Sequence, residues 1–451
     1  MGRPNVLLVV LDCVRAANTS LLGHRRRTTP FLEAFGREAT VYTQARTTAS
    51  WSLPAHASLF TGVPSEGHKL QITERLLPGQ TIFDYLHGEG YETGVFTENP
   101  YLTVHPSGLS DSFETVVTER PDSTDVSDPS ETRNGVDGFW YADRITDWVD
   151  ERAGPWAACL NLMDAHMPYA TRDAYDEWGA DFYWAMHDEL PIKWEWSVYG
   201  EQLPPGVGQL LEPLYDGAIR QNDAILEQVI GELETRGALD ETLVVITSDH
   251  GDGFGEPPQA GTEPPAVMHG MGTQEELFHV PLVVRGPGQT EGNRITSLAT
   301  LSRFPDAVLA AFDGARADSG WFVAPDGQTT AYQAPPTGQT AAYAEQYTDD
   351  PDRFRRPASL VYRDGPGDTV YKRAAWGPDE YEAVVRGRRS EPADGTPIDR
   401  PPAAVVADSA ERSETLEITE LAAGEDEMAE YDIDGFDDVD LKSRLERLGY
   451  L

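Results

Sequence analysis

Continuous apolar runs, each followed within two residues by an acidic residue, are the feature that most constrains how this sequence can fold. Three of them lie at residues 5–11, 155–163 and 242–247. Because these runs do not alternate apolar with polar residues, they predict strands buried on both faces, as in the parallel sheet of an α/β protein. A chain of 451 residues has room for one large α/β domain with an appendage, or for two to three ordinary domains.

The polar residues after these runs are predicted to meet at one edge of the sheet. Asp12 follows the first run, Asp164 and His166 follow the second, and Asp249 and His250 follow the third. Open α/β folds bind ligands outside the carboxyl ends of their strands. Taken alone, Asp12 is also compatible with a turn, and His166 is also compatible with a structural role. Their common position at strand ends predicts a ligand site.

Residues 48–62 indicate a hydroxyl placed at the start of a helix. Pro54 fits a first helical turn, and Gly62 fits a helix stop. Ser52 would then lie where free backbone N–H groups and the positive end of the helix dipole stabilise an anion. The alternative is an ordinary capping serine on a buried helix.

Further helices and strands are predicted between these segments. The predicted helices are residues 29–36, 81–88, 138–153, 212–236 and 301–312, and the predicted strands are residues 40–45, 91–96 and 280–284. Residues 111–137 are acidic and rich in Ser and Thr, which favours a long surface loop. Residues 183–199 are crowded with Trp and Tyr and predict either a lid over the site or a packing insertion.

The composition changes near residue 325. Short strand patterns at 359–362, 369–373 and 381–385 predict a smaller antiparallel subdomain. Residues 386–430 are acidic and biased toward low order, and residues 441–448 could form one docking helix. We therefore predict a large α/β domain that carries the ligand site at 1–324, a small antiparallel subdomain at 325–430 and a docking helix within 431–451.

The chain carries a large excess of negative charge. Its 76 acidic and 35 basic residues give a formal net charge of −41, and only four residues are lysine. This balance is typical of cytosolic proteins of salt-loving microbes, whose acidic surfaces stay hydrated in concentrated salt. We predict that the protein folds and works in molar salt. We predict no nucleic-acid partner, because there is no basic stripe to pair with phosphates.

Cysteine content and hydropathy bear on the compartment. Cys13 and Cys159 are the only cysteines, too few for a disulfide framework or a thiolate zinc site. The start of the chain lacks the pattern of a cleavable signal, and no run approaches the ~20 apolar residues of a membrane-spanning helix. These observations predict a cytoplasmic protein without a membrane partner, and they leave secretion by another route open. Oligomeric state cannot be predicted from the sequence.

Four motifs together resemble a known family. They are Val-Val-Leu-Asp-Cys-Val-Arg at 9–15, Ser-x-Pro-Ala-His-x-x-Leu-x-Thr-Gly at 52–62, Met-Asp-Ala-His-x-Pro-Tyr at 163–169 and Thr-Ser-Asp-His-Gly-x-x-Phe-Gly-Glu at 247–256. In order and spacing they resemble the sulfatase family of the alkaline phosphatase superfamily, over roughly residues 5–314. The resemblance implies an alkaline-phosphatase-like α/β fold. Its mixed, mostly parallel central sheet would be flanked by helices, with a small C-terminal antiparallel subdomain.

The resemblance implies that Ser52 occupies the nucleophile position. In sulfatases a Cys or Ser there is oxidised to formylglycine, whose hydrate attacks sulfur, whereas phosphatase and phosphodiesterase relatives use an unmodified Ser or Thr. Four features depart from the sulfatase pattern, the first being that Glu98 and Asn99 stand in the region where many sulfatases carry a Lys/His pair. His56 stands where the modification motif usually carries Arg, Cys13 replaces a second acidic residue, and His269 lies where many sulfatases place Lys. Both formylglycine and unmodified serine therefore remain open at Ser52.

One divalent metal ion is predicted at the sheet edge. Asp12, Asp249 and His250, with the Ser52 oxygen, supply the ligand types for Mg²⁺, Mn²⁺ or Ca²⁺, with Zn²⁺ also possible. Such an ion would activate the Ser52 oxygen for attack on sulfur or phosphorus. A second metal at Asp164 and His269 is a weaker alternative. Cys13 is a poor candidate nucleophile, because nothing near it in sequence would favour a thiolate.

Several further residues are predicted to act on the substrate. His166 and His269 would position a small anionic ester, and one of them would protonate the leaving oxygen. We also include His56 among the catalytic candidates. Arg15 could hold an anion or pair with Asp12, and Asn99 could point into the site or simply form a turn before proline.

The function predicted from these residues is metal-dependent hydrolysis of sulfate esters. The alternative within the same fold is a phosphodiesterase, phosphonate hydrolase or phosphotransferase that uses unmodified Ser52. A non-catalytic binding protein of this fold is a third alternative. The set of acids, imidazole and hydroxyl argues against it.

Overall fold

A mixed sheet of eight strands lies at the centre of the protein in this computed structural model, which describes residues 3–72, 74–118, 138–169, 171–189, 198, 206–335, 338–386 and 428–430. The strands are β1 Asn5–Leu11, β2 Thr40–Tyr42, β3 Ala45–Arg46, β4 Glu74–Leu76, β5 Glu92–Phe96, β6 Thr115–Val117, β7 Trp156–Leu162, β8 Thr242–Thr247, β9 Gly253–Glu256, β10 Ala266–Met268, β11 Leu282–Arg285, β12 Asn293–Ile295, β13 Ala299–Thr300, β14 Gln328–Gln333, β15 Ala358–Asp364, β16 Thr369–Trp376, β17 Asp379–Arg386 and β18 Met428–Glu430. The order across the sheet is β12-β2-β11-β8-β1-β7-β5-β6.

The central strands explain why the apolar runs lack alternation. β1 pairs in parallel with both β7 and β8, and β7 pairs in parallel with β5. Alternate residues of β1 enter two different cores: Val6 and Leu8 pack on one face, and Leu7 and Val9 pack on the other. Burying each such side chain stabilises the fold by about 1.5–3 kcal/mol. The prediction of strands buried on both faces is confirmed.

The sheet is not wholly parallel. β11 runs antiparallel to both β8 and β2, and β12 pairs in parallel with β2. The predicted class, a mixed and mostly parallel sheet, is therefore confirmed. The direction of β11 could not be predicted from its apolar residues, because antiparallel strands inside a sheet are just as apolar as parallel ones.

Helices cover both faces of the sheet. They are α1 Pro30–Phe35, α2 Ser52–Thr61, α3 Ser65–His68, α4 Ile82–Gly88, α5 Gly138–Asp150, α6 Asp181–Glu189, α7 Glu212–Thr235, α8 Glu275–Phe278, α9 Phe304–Phe312 and α10 Gly338–Tyr347. α2, α4 and α9 pack into one core, and α5 and α7 pack into the other. The helices predicted at 29–36, 81–88, 138–153, 212–236 and 301–312 all form, with ends within a few residues of the predicted ones. Gly62 ends α2 in the left-handed conformation, as predicted.

The structure describes parts of the two surface segments predicted at 111–137 and 183–199. Part of the predicted loop at 111–137 is wrong, because residues 115–117 form β6 and pair with β5 at the edge of the sheet. Thr115, Val116 and Val117 favour a strand locally, but the acidic residues around them make the segment resemble a loop in the sequence. In the aromatic segment at 183–199, Trp184 is buried against the helical layer, and residues 190–197 and 199 lie outside the described residues, so the choice between a lid and a packing insertion stays a prediction.

The chain after residue 325 forms a four-stranded antiparallel sheet in the order β14-β15-β16-β17. β15, β16 and β17 match the predicted strands. β14 was not predicted, because its Gln and Thr residues resemble a loop. A shared core joins this sheet to the preceding part, through Phe278 and Leu298 on one side and Leu360 and Trp376 on the other. The proposed boundary at residue 324 stays a prediction.

The last part of the chain lies mostly outside the described residues. The backbone of β18 pairs antiparallel with β4. The low-order prediction for 386–430 otherwise falls on residues that the structure does not describe, and the docking helix predicted at 441–448 does so entirely. None of the helices in the described ranges combines the length and apolar character needed to cross a bilayer.

Candidate active site

The strand-end residues Asp12, Asp249 and His250 meet around one point. His250 Nε2 lies 3.3 Å from Asp249 Oδ2 and 3.9 Å from Asp12 Oδ1. One ligand atom from each of the three lies within 4.8 Å of the other two, and all three residues are buried. The parallel arrangement of β1 and β8 causes this convergence, because it brings the carboxyl ends of both strands to the same edge.

Backbone contacts fix the two loops that carry these side chains. Asp12 N donates to Leu162 O at 3.0 Å, which ties the end of β1 to the end of β7. Asp249 Oδ1 accepts hydrogen bonds from Cys13 N at 3.3 Å and from His250 N at 2.9 Å. One oxygen of Asp249 thus holds both loops, and the other oxygen faces His250.

Ser52 enters the same cluster from the start of α2. Its Oγ lies 3.3 Å from His250 Nε2, and the residue is fully buried. Trp51 occupies the cap position with extended backbone, so Ser52 is the first helical residue and not the cap. The capping alternative for Ser52 is therefore wrong. The hydroxyl lies within the turn where the helix dipole favours negative charge.

Two amides hold the carboxylate of Asp12. Asn99 Nδ2 donates to Asp12 Oδ2 at 2.9 Å, and Asn161 Nδ2 donates to the same oxygen at 3.1 Å. Asn99, which we predicted to contact the substrate, thus orients a carboxylate, while its Oδ1 accepts from Tyr101 N. Asn161 was missed, although a single amide near the end of an otherwise apolar strand was the signal that could have revealed it.

The charges of the cluster are unbalanced. In the described part of the chain, neither Asp12 nor Asp249 has an arginine or lysine within ion-pair distance, and their charged contacts are histidines. Burial raises the pKa of Asp249 above its ordinary value. Burial also lowers the pKa of His250 to about 3, so its imidazole is neutral and keeps a lone pair for a ligand. Two buried carboxylates beside a neutral imidazole fit a cation.

His269, His166 and Cys13 adjoin this cluster. The His269 ring centroid is 4.5 Å from that of His250 and 5.1 Å from that of His166. Burial, with His166 as a second cause, lowers the pKa of His269 to about 3. Its Nδ1 lies 3.4 Å from Asp252 Oδ1, a residue that sequence reasoning missed although it follows Asp249 by three positions.

The Cys13 thiol is also inside the site. Its Sγ lies 3.6 Å from His269 Nδ1 and 3.5 Å from Asp12 Oδ1. Burial and the neighbouring carboxylates, with Asp12 first among them, raise its pKa well above the usual value. A protonated thiol is a poor nucleophile, which agrees with our prediction that Cys13 is a poor candidate for that role.

His56 lies behind the nucleophile position. Its Nδ1 is 2.8 Å from Ser52 O, one helical turn back, and 3.6 Å from Asp249 Oδ2. Its Nε2 has no hydrogen-bond partner among the described residues, and its ring packs edge-on against Phe60. His56 therefore supports the first turn of α2 and contacts a carboxylate of the cluster.

Arg15 and Asp164 have partners other than those the sequence suggested. The Arg15 guanidinium contacts Glu256, Glu212 and Asn18 and lies over the Phe254 ring, so its donors are engaged away from Asp12. Asp164 Oδ1 accepts from Gly138 N at 3.2 Å and from Gln221. Among the described residues, the groups of possible metal ligands do not include Asp164. Neither residue supports the role that we first considered for it.

Fold and site together define an α/β protein with a buried cation-binding set beside a hydroxyl at a helix start. The sulfatase family profile matches residues 4–315. That range is more than half of the chain, and the chain therefore belongs to the sulfatase family. The family is metal-dependent, and the acid and imidazole donors described above fit that requirement.

Individual relatives are more distant. The chain is 24% identical over 344 residues to arylsulfatase K of Gallus gallus, an alignment that covers 66% of this chain and 61% of the relative. It is 25% identical over 342 residues to arylsulfatase K of Bos taurus, which covers 66% of this chain and 60% of the relative. The match thus spans about three fifths of the length of these relatives.

Solved structures share the fold at low sequence identity. The phosphonate monoester hydrolase of Agrobacterium radiobacter superposes with a TM-score of 0.63 at 17% identity, covering 85% of this chain and 89% of that one. The 2-O GAG sulfatase BT1596 superposes with a TM-score of 0.57 at 14% identity, covering 84% and 85%. These likenesses confirm the alkaline-phosphatase-like fold.

Proposed function

We propose that this protein is a metal-dependent hydrolase of sulfate esters, with the Ser52 position as its nucleophile. The observation that carries the proposal is the buried contact of Ser52 Oγ with His250 Nε2, at 3.3 Å, inside the set formed with Asp12 and Asp249. Family membership and the likeness to arylsulfatase K support sulfate as the transferred group. A small anionic ester is the proposed substrate.

Asp12, Asp249 and His250 would hold the cation. When bound, a divalent ion supplies positive charge that stabilises an oxygen nucleophile and the developing charge on the sulfate oxygens. The amides of Asn99 and Asn161 keep Asp12 turned toward the site. The start of α2 adds N–H groups and a favourable dipole beside Ser52. Burial of all these groups strengthens each electrostatic contribution, because water does not screen it.

The reaction also needs one proton to move. The oxygen at position 52 loses a proton as it bonds to sulfur, and the ester oxygen needs one as its bond to sulfur breaks. We assign this proton transfer to His166, and we assign the positioning of the ester to the imidazoles of His166 and His269 beside the cluster. With unmodified Ser52, water then attacks sulfur, the serine–sulfur bond breaks, and one proton of the water passes to the serine oxygen as sulfate leaves. With formylglycine, the second hydroxyl of the hydrate loses its proton and expels sulfate, and water adds to the resulting aldehyde to restore the hydrate.

The state of Ser52 decides between two chemistries. In a sulfatase of this family the residue would be present as formylglycine, yet His56 stands where the modification motif usually carries Arg. His56 is fully buried and its Nδ1 lies 2.8 Å from Ser52 O. This departure favours a second candidate function, in which unmodified Ser52 attacks a phosphodiester or phosphonate ester. The shared fold with a phosphonate monoester hydrolase is compatible with it.

Mass spectrometry and paired assays test the proposal. The peptide that contains Ser52 should show the loss of two hydrogens if formylglycine is present, together with turnover of nitrophenyl sulfate. An unmodified peptide with turnover only of phosphate diesters would replace the first function by the second. Ser52→Ala should abolish turnover of either ester and leave the fold intact.

A matched control removes a different buried hydroxyl. Ser112 donates to Asp84 at the cap of α4 and lies outside the candidate site. Ser112→Ala should keep its turnover while losing a little stability, since one cap contact is lost. Turnover by Ser52→Ala equal to that of Ser112→Ala would overturn the nucleophile assignment.

We further propose that the protein acts in the cytoplasm and in concentrated salt. Two buried free cysteines and the acidic composition support this proposal. Fractionation of cells followed by detection of the protein would test the compartment. Recovery from the medium or from a membrane fraction would contradict it.

A further inference from the structure

The Cys13 thiol takes part in two groups of possible metal ligands. One group joins it to His250 and His269, and the other joins it to Asp12 and His166. Within each group the ligand atoms lie within 4.8 Å of one another, and every residue is buried. The thiol therefore lies close to the Asp12 carboxylate and to the imidazoles of His166, His250 and His269.

The backbone at Cys13 is held in an unusual conformation that aims the side chain into the site. Its φ of 65° lies in the left-handed region, which residues other than glycine seldom adopt. Cys13 N donates to Asp249 Oδ1 at 3.3 Å, and Cys13 O accepts from the Tyr215 hydroxyl at 2.7 Å. Contacts on both sides of the residue thus fix the turn and the direction of the thiol.

Sulfur changes which cation such a site prefers. Carboxylate oxygens alone suit Mg²⁺, Ca²⁺ and Mn²⁺, whereas thiolate and imidazole together suit Zn²⁺ and Co²⁺. At this site a thiol lies 3.6 Å from the Nδ1 atom of His269. The donor set is therefore mixed, with oxygen, nitrogen and sulfur in one buried cluster.

We propose that Cys13 Sγ and His269 Nδ1 ligate a divalent cation at this site, which makes the site selective for thiophilic metals such as Zn²⁺. Binding replaces the S–H proton, which is released to solvent, so no oxidant or reductant is needed. The inference deepens the proposed metal-dependent function and rests on its cation site. Its test measures metal binding and not turnover, so the two can fail separately.

Cobalt substitution tests the sulfur ligand directly. The full chain is loaded with Co²⁺ after chelator treatment, and its absorption spectrum is recorded. A thiolate ligand gives a sulfur-to-cobalt charge-transfer band in the near ultraviolet, which oxygen and nitrogen ligands do not. The wild-type protein should show this band, and Cys13→Ser should lose it.

Cys159 provides a matched control. It is the other cysteine, fully buried in β7, and it belongs to none of the ligand groups among the described residues. Cys159→Ser should keep the band. Bound Co²⁺ without the band in the wild type, or a band that survives in Cys13→Ser, would overturn the proposal.

A second variant guards against misfolding of Cys13→Ser. Cys13→Asp replaces sulfur by oxygen and keeps a ligand, so it should bind Co²⁺ without the band. In competition it should also shift the preference from Zn²⁺ toward Mg²⁺, because a carboxylate oxygen suits Mg²⁺ and a thiolate suits Zn²⁺. An unchanged preference in folded Cys13→Asp would equally overturn the proposal.

Discussion

Asp12 and Asp249 pose the main electrostatic problem of this molecule at the scale of single residues. One carboxylate oxygen of Asp12 lies within 4.8 Å of one carboxylate oxygen of Asp249, and both residues are buried. Two like charges at that distance repel by about 3 to 4 kcal/mol at an effective dielectric constant of about 20. A divalent cation between them turns this repulsion into attraction. The close approach of the two carboxylates therefore destabilises the metal-free protein, and the same approach favours binding of the metal.

The amides that hold Asp12 offer a prediction at this scale. Asn161→Ala removes one of two donors to Asp12 Oδ2, so the carboxylate can turn away from the cation. We expect metal affinity and kcat/KM to fall by about 10–100-fold, as for other groups that orient metal ligands. Isothermal titration with metal and ester assays would measure both.

Asn222 supplies the control for this change. It is buried on α7, and its side-chain atoms have no hydrogen-bond partner among the described residues. Asn222→Ala should therefore leave metal affinity unchanged. If Asn161→Ala bound metal as tightly as Asn222→Ala, Asn161 would have no role in orienting Asp12.

At the scale of secondary structure, local pattern predicted the elements and strand ends predicted the site. The strands β1, β7 and β8 were readable because each apolar run is complete in itself, and Asp12, Asp249 and His250 follow from their ends. Other contacts depend on residues far apart in the chain. Arg15 is engaged by Glu212 and Glu256, about 200 or more positions away, and no local pattern encodes such a pairing.

A buried cluster of three charged residues, Arg46, Glu275 and Lys372, links the C-terminal sheet to the rest of the protein. Glu275 of α8 contacts Arg46 Nε at 2.6 Å and Lys372 Nζ of β16 at 3.1 Å. Burial alone would raise the pKa of Glu275, but the two cations hold it at about 2. Because this pKa lies below the ordinary value of 4.5, the cluster stabilises the fold above about pH 4.5 and loses that effect as the pH falls toward 2.

Neutralising Glu275 should therefore destabilise the protein at neutral pH. Glu275→Gln leaves Arg46 and Lys372 buried without their partner, and loss of one member of a buried pair costs about 3–5 kcal/mol. Denaturant unfolding at pH 7 would measure this loss. Between pH 4.5 and 2 the difference between variant and wild type should shrink.

A second substitution separates charge from packing. Adding Lys372→Met to Glu275→Gln removes one of the two buried cations that have lost their partner, and it should recover part of the lost stability. A double variant no more stable than Glu275→Gln would show that packing, and not the unpaired charge, causes the loss.

At the scale of the whole molecule, negative charge sets the conditions under which the fold persists. The formal net charge of −41 is spread over a surface on which arginine supplies most of the positive groups. In dilute buffer these charges repel one another over about 10 Å or more, whereas at about 1 M salt the screening length is near 3 Å. The buried site is screened much less than the surface, because its charged groups are surrounded by protein and not by bulk salt solution.

This difference predicts how stability should respond to salt. The thermal midpoint should rise steadily as KCl increases from the dilute range to about 1 M, because screening removes repulsion that favours the expanded chain. Neutralising three exposed acids, Glu227→Gln, Glu234→Gln and Asp313→Asn, should raise the midpoint in dilute buffer and flatten its salt dependence. Calorimetry of both proteins across the series would measure this. A midpoint that is independent of salt in the wild type would mean that the acidic surface is tolerated without screening, and the proposed adaptation to concentrated salt would fail.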